Sequence, residues 1–145
     1  MRNQRGFTLV EMLLSVSIIA LLVGVSAPVY NSFATRNDLD VTIMGLETAL
    51  RRAQTYARAV EGDSQWGVAV ITGKVVLFKG ATYATRDTNF DESTTVSGGI
   101  TTSGLSEVVF AKMTGTPSAT GTATLTSSST NDSRTVTLNA KGMVE

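Results

Sequence analysis

The chain has 145 residues, of which 42% are apolar and 17% are charged, a size that allows one modest domain plus one long apolar segment. Lysines and arginines equal aspartates and glutamates at 12 each, so the composition gives no general attraction to nucleic acid. Cysteine and histidine are both absent, which excludes disulfides, Ser-His-Asp and Cys-His nucleophiles, and histidine-ligated zinc. The composition therefore predicts neither an enzyme nor a protein that depends on a cofactor.

An apolar run of 23 residues, 7–29, follows the N-terminus, and its only charge is Glu11. As a helix it would extend about 34 Å, enough to cross a hydrocarbon core of roughly 30 Å. Arg2 and Arg5 precede the run, and this positive charge favours a cytoplasmic N-terminus with the later residues outside. The sequence therefore predicts a single membrane-spanning helix over residues 7–30.

Glu11 does not fit a plain membrane anchor, because a carboxylate within an apolar helix costs roughly 2.5 to 3.5 kcal/mol on insertion scales. No lysine or arginine lies between Gly6 and Arg36 to neutralise it. If the chain were cut after Gly6, Phe7 would carry a free ammonium able to pair with Glu11 of an adjacent copy. Cleavage would then create the missing counter-charge.

The stretch Arg5-Gly6-Phe7-Thr8-Leu9-Val10-Glu11 resembles the prepilin peptidase site of type IV pilins and type II secretion pseudopilins. The resemblance implies cleavage after Gly6, N-methylation of Phe7, and a role for Glu11 in filament assembly. It also implies three partners: a prepilin peptidase, other pilin or pseudopilin subunits, and an inner-membrane assembly platform. The implied location is the bacterial inner membrane, followed by incorporation into a type IV pilus or a secretion pseudopilus. The alternative is an ordinary membrane anchor that happens to contain a glutamate.

Gly24 and Pro28 fall where the helices of that superfamily are locally weakened. Pro28 removes one helix hydrogen bond, and Gly24 lies one turn earlier, so this stretch bends or unwinds more easily. Membrane helices also tolerate both residues without a special role, and the sequence does not decide between the two interpretations.

Beyond the apolar run, a second helical pattern predicts an amphipathic helix over residues 31–61. Its apolar positions recur at steps of three and four: Leu39, Ile43, Leu46, Leu50, Ala53, Ala57 and Val60. The helix is expected to stop near Glu61-Gly62-Asp63, where helix breakers cluster. Three arginines on its other faces, Arg51, Arg52 and Arg58, are interpreted as a solvated face rather than a nucleic-acid patch.

The remaining residues, 66–145, predict antiparallel strands. Runs over 67–71 and 74–79 flank Thr72-Gly73 as a β-hairpin, and further strands are expected at 107–112, 122–127 and 134–139. The predicted fold class is α+β, a pilin-like fold in which a long N-terminal helix packs on one small antiparallel sheet. The predicted organisation is a leader over 1–6, a transmembrane and assembly helix over 7–30, and an exported domain over 31–145.

Three short stretches in the exported domain resemble the FimT/GspH group of minor subunits: Trp66-Gly67-Val68, Val108-Val109-Phe110, and Arg134 to Leu138 before Gly142. Some subunits of this kind resemble DNA receptors that bind through arginines near the C-terminus. Here the tail offers Lys141 and Met143 and ends on Glu145, so clustered cations for phosphate are lacking and no DNA-binding residue is assigned.

Asp87, Asn89 and Asp91 place oxygen side chains at alternate positions, as in the opening of a calcium loop, and are a weak metal candidate. The rest of the stretch does not match the calcium-loop pattern. Glu92 lies where the turn needs glycine, and Gly98 lies where a bidentate acid is needed. A solvated acidic turn is the favoured interpretation, and no metal is assigned.

Overall fold

The computed structural model describes residues 6–145, without the side chains of residues 25–29, 31 and 32. The first five residues of the predicted leader therefore lie outside the described residues. The chain divides into two compact units, Met1–Ala34 and Thr35–Glu145. One α-helix, α1, is assigned from Leu9 to Arg58.

In the first unit, the helix exposes apolar side chains on all its faces. Leu9 and Leu21 are more than 70% exposed, and Ile18, the most covered of the large apolar side chains there, is still 49% exposed. The helical assignment continues through Gly24 and Pro28 without a break. Across the part of the chain that the structure describes, no helix has both the length and the apolar character needed to span a membrane.

In the second unit, α1 turns its predicted apolar stripe towards the sheets. Six of the seven stripe positions, Leu39 to Ala57, are buried, so this part of the prediction is confirmed. The prediction is wrong for the seventh position, Val60. The helix ends at Arg58, and Val60 adopts a left-handed backbone with φ of 57°. A 3-10 turn over Glu61–Asp63 follows.

Seven strands form two antiparallel sheets. The strands are β1 (Trp66–Ile71), β2 (Lys74–Lys79), β3 (Asp87–Thr95), β4 (Ile100–Gly104), β5 (Glu107–Phe110), β6 (Gly121–Ser127) and β7 (Ser133–Leu138). One sheet has the order β3-β2-β1-β5 and the other the order β4-β6-β7. The β1–β2 hairpin is confirmed, and in its turn Thr72-Gly73 only the glycine has a positive φ, of 79°, as the third residue of a type II turn requires.

The prediction of one sheet is wrong, since β4, β6 and β7 pair only among themselves in the described chain. The prediction of an acidic turn at residues 86–92 is also wrong. Arg86 precedes β3, and residues 87–92 form most of it. This edge strand is polar except for Phe90 and is held by its pairing with β2. Because neither face of β3 is buried, it lacks the alternation that marks a strand in sequence.

The core lies between α1 and the inner faces of both sheets. Side chains from the helix, such as Leu39 and Leu46, meet Val68 and Phe110 of the first sheet and Leu125 of the second. A smaller cluster of Ala69, Val76, Phe78 and Val109 covers the other face of the four-stranded sheet. The α+β class is therefore confirmed, with a helix packed against antiparallel sheets.

Candidate functional site

The residues singled out at the N-terminus lie at the beginning of α1. Gly6, Phe7 and Thr8 precede the helix, which begins at Leu9. Gly6 and Glu11 are exposed, and Phe7 is 77% exposed. The described chain therefore does not use these residues in its own core.

Thr8 acts as the N-cap of α1. Its side-chain Oγ1 accepts a hydrogen bond from the backbone N–H of Glu11 at 3.2 Å, and its carbonyl accepts from Met12 N–H, also at 3.2 Å. This satisfies one of the N–H groups that have no partner at a helix start. The pattern Thr8-x-x-Glu11 is that of a capping box, so the sequence contained this signal although the cap was not predicted from it.

Glycine at position 6 is not required by the fold of the chain. A methyl group added there would meet no atom within 4 Å, and the backbone has no positive φ at that residue. Gly24 behaves in the same way. The packing of the described chain therefore does not explain why position 6 is a glycine.

The two serines that follow Glu11 on the helix donate hydrogen bonds to backbone carbonyls one turn earlier. Ser15 Oγ donates to the carbonyl of Glu11 at 2.7 Å, and Ser17 Oγ donates to the carbonyl of Leu13 at 2.8 Å. These bonds satisfy both hydroxyls within the helix, so neither serine is a free polar group on the apolar surface.

The comparison with known families gives one match, to the model described as "Prokaryotic N-terminal methylation motif", over residues 1–27. The chain carries a prokaryotic N-terminal methylation motif. This methylation motif is that of the type IV pilin and pseudopilin superfamily, whose members are structural and not enzymatic. No curated protein and no solved structure matches the chain.

The methylation motif implies a subunit that a prepilin peptidase processes and that then assembles into a filament. It also implies anchoring in the inner membrane before assembly. The helix on antiparallel sheets described above is consistent with a pilin-like fold.

The three oxygen residues considered for calcium lie on β3 rather than in a loop. Asp87 Oδ1 accepts from the backbone N–H and from Nδ2 of Asn89, at 3.1 and 2.9 Å. Both carboxylate oxygens of Asp91 accept from Nε of Arg86, at 3.0 and 2.8 Å, and this hydrogen bond raises the pKa of Arg86. Within the described residues, no three acidic side chains are grouped so that they would hold a metal ion.

The C-terminal tail is folded back onto β7. Glu145 and Thr137 exchange two backbone hydrogen bonds of 2.8 and 2.9 Å, and Gln54 of α1 donates to the carbonyl of Lys141 at 3.1 Å. Lys141 and Met143 are exposed. The tail therefore presents one lysine beside the acidic chain end.

Two of the three arginines considered for a nucleic-acid patch, Arg51, Arg52 and Arg58, are paired with acidic neighbours. Arg51 lies 3.3 Å from Glu47, and Arg52 lies 2.6 Å from Glu92 across the helix–sheet boundary. The hydrogen bond to Glu92, followed by the one to Tyr56, raises the pKa of Arg52 above its usual value. These pairs leave little unpaired positive charge for phosphate on this part of the helix.

Proposed function

We propose that this chain is a minor pilin or pseudopilin subunit that prepilin peptidase cuts after Gly6. The mature chain would assemble into a type IV pilus or a type II secretion pseudopilus through its N-terminal helix. The observation that carries the proposal is the methylation motif over residues 1–27, whose key side chains are exposed in the folded chain. Residues with no role in their own fold are suited to recognition by other proteins.

The open environment of Gly6 supports a processing role for that residue. Since a larger side chain would fit there without a clash, the fold does not explain the glycine. Gly6 and Phe7 are exposed and precede the helix start at Leu9, so the bond between them is not held in regular secondary structure. Phe7 would then become the first residue and the site of N-methylation.

The exposed apolar helix supports an assembly role. A helix that is apolar on all faces is stable only where it is buried in a membrane or among other chains. From Leu9 to Val23 the large apolar side chains are between 49% and 76% exposed in the single chain. We infer that residues 7–30 are held by the inner membrane before assembly, with the N-terminus cytoplasmic and residues 31–145 outside, and by neighbouring helices after it.

Glu11 would pair with the Phe7 ammonium of the adjacent subunit. In the described chain the Glu11 carboxylate has no ion-pair partner, while its backbone N–H is already used by Thr8. An apolar filament core makes such a pair strong, because leaving either charge unpaired there costs several kcal/mol. Gly24 and Pro28 would let the helix loosen as the subunit leaves the bilayer.

A subunit of the FimT/GspH group remains our proposal for the exported domain. Trp66-Gly67-Val68 opens β1 and Val108-Val109-Phe110 forms most of β5 beside it, so two of the resembling stretches pair in one sheet. The alternative function is a filament-displayed receptor that binds DNA or a surface. The ion pairs of Arg51 and Arg52 leave little free positive charge for DNA, so DNA binding is the less supported function.

The assembly proposal is tested by filament incorporation of a Glu11→Gln variant. Export and cleavage should be normal, whereas the amount of subunit in sheared filaments should fall more than about tenfold, because the neighbour's ammonium loses its partner. The matched control is Glu47→Gln, which removes a carboxylate paired on the surface of the same helix. Wild-type incorporation of Glu11→Gln would rule out the ion pair.

A further inference from the structure

A cleft of about 440 Å³ opens between the end of α1, β1 and β3. One aromatic side chain from each element lines it: Tyr56, Trp66 and Phe90. The ring centroids of Tyr56 and Trp66 are 4.8 Å apart, and those of Trp66 and Phe90 are 6.1 Å apart. The volume lies within the range of small-molecule sites, roughly 300 to 1,000 Å³.

The aromatic rings differ in what a ligand could reach. Trp66 is only 4% exposed, and its Nε1 donates to the carbonyl of Glu61 at 2.9 Å, which fixes the indole in the wall. Phe90 is 45% exposed on the edge strand β3, an unusual position for so large an apolar ring. Phe90 is therefore the ring available for contact, and Trp66 supports it from behind.

The polar groups beside the rings are fixed by ion pairs. Arg86 holds both oxygens of Asp91, and Arg52 holds both oxygens of Glu92 while it also donates to the Tyr56 hydroxyl at 2.8 Å. Each carboxylate keeps lone pairs free, because a carboxylate has about four acceptor positions. The cleft therefore offers several carboxylate oxygens as hydrogen-bond acceptors. They are already held in position, so they need not reorganise when a ligand binds.

The charges around the cleft nearly cancel. Three carboxylates line it, those of Glu61, Asp91 and Glu92, and two of these are paired with arginines. A third cation, the ammonium of Lys79, lies 4.3 Å from the centroid of the Phe90 ring. Such balanced walls attract neither a strong cation nor an anion, so they favour an uncharged polar ligand.

We propose that this cleft binds a neutral saccharide. A sugar ring presents C–H groups on one face and hydroxyls around its edge. The partly exposed ring of Phe90 suits the C–H groups, and the fixed carboxylates with the Asn89 amide suit the hydroxyls. This binding role goes beyond filament assembly, which depends on the N-terminal helix and not on β3.

The test uses the full chain, purified in a detergent without a sugar head group. Trp66 is the only tryptophan, so its fluorescence reports on the cleft directly. The probes are the methyl glycosides of glucose, mannose, galactose and N-acetylglucosamine. At least one should give a saturable change, and Phe90→Ala and Phe90→Leu should each weaken it by at least about tenfold. Phe90→Leu keeps an apolar side chain, so loss in both variants with unchanged thermal unfolding assigns the effect to the ring.

Two further variants separate sugar binding from a general effect of substitution and from the binding of a cation. Met143→Ala removes an exposed apolar side chain from the tail and should bind as the wild type does. Glu61→Gln removes the one lining carboxylate without an ion pair in the described chain, and it therefore tests whether the ligand carries a positive charge. A response to choline chloride alone that Glu61→Gln abolishes would replace the saccharide with an organic cation. The absence of a saturable response to all four glycosides would overturn the proposal.

Discussion

The side-chain hydroxyl of Thr8 accepts the backbone N–H of Glu11 at 3.2 Å and so sets the start of the only long helix in the described chain. After cleavage behind Gly6, Thr8 would be the second residue of the mature chain. The cap therefore lies between the two groups proposed to pair in the filament, the Phe7 ammonium and the Glu11 carboxylate. It fixes the first helical turn, which carries Glu11.

Replacing Thr8 by valine should loosen the first turn of α1. Valine has the shape of threonine without the oxygen, and loss of an N-cap costs typically about 1 kcal/mol. Amide hydrogen exchange at Glu11 and Met12 in detergent should speed up by roughly fivefold, since about 1.4 kcal/mol corresponds to tenfold. Thr8→Ser keeps the oxygen and is the matched control. Equal protection in Thr8→Val and the wild type would show that the cap does not hold the helix start.

Alanine substitutions at Leu46 and Met44 test which face of α1 packs in the core. Leu46 is 2% exposed and Met44 is 64% exposed, two positions apart on the same helix. Leu46→Ala should lower the free energy of unfolding of the exported domain by 2 to 5 kcal/mol, on the order of other buried leucines. Met44→Ala should change it by less than about 0.5 kcal/mol. Urea unfolding followed by Trp66 fluorescence measures both, and equal losses would contradict the described packing.

The contact between Asp63 and Lys112 should contribute to stability only above acidic pH. The hydrogen bond from Lys112 lowers the pKa of Asp63 below its usual value. A depressed carboxyl pKa contributes stability that is complete above the unfolded value near 3.9 and is lost as the pH falls through the folded value. A double-mutant cycle with Asp63→Asn and Lys112→Gln should therefore show a small favourable coupling at about pH 7.

The coupling in the same cycle should decrease as the pH falls through the folded-state pKa of Asp63, because the carboxyl then takes up a proton. Because Asp63 is 85% exposed, the coupling at neutral pH should be of the size found for surface pairs and should shrink in salt. A coupling that is the same at neutral and at strongly acidic pH, and that does not change with salt, would show that the pair is not held by charge.

Local patterns predicted the helix and its buried stripe, because one periodic face from Leu39 to Ala57 meets the sheets. The β1–β2 hairpin was predictable for the same reason, with its turn at Thr72-Gly73. The strand β3 was not, since a polar edge strand depends on its neighbour and not on its own alternation. The division into two sheets was not predictable either, because alternation does not specify which strands pair.

The N-terminal methylation motif was predictable because the residues that indicate it lie within one short stretch, from Gly6 to Glu11. The aromatic cleft was not, since Tyr56, Trp66 and Phe90 come from three elements and Phe90 lies in the strand that was predicted as a turn. Only the pairing of β3 with β2 brings Phe90 to the cleft. A site assembled from distant residues can be found only once the fold is known. A site contained in one short stretch can be found from the sequence alone.

The most direct test of the proposed function is the N-terminus of the mature chain after expression with a prepilin peptidase. Mass spectrometry should find a chain that begins with N-methylated Phe7, and Gly6→Val should remain an unprocessed precursor. Gly24→Val is the matched control, because glycine at that position also has open space around it, and it should be processed normally. A mature chain that begins elsewhere, or normal processing of Gly6→Val, would contradict the account.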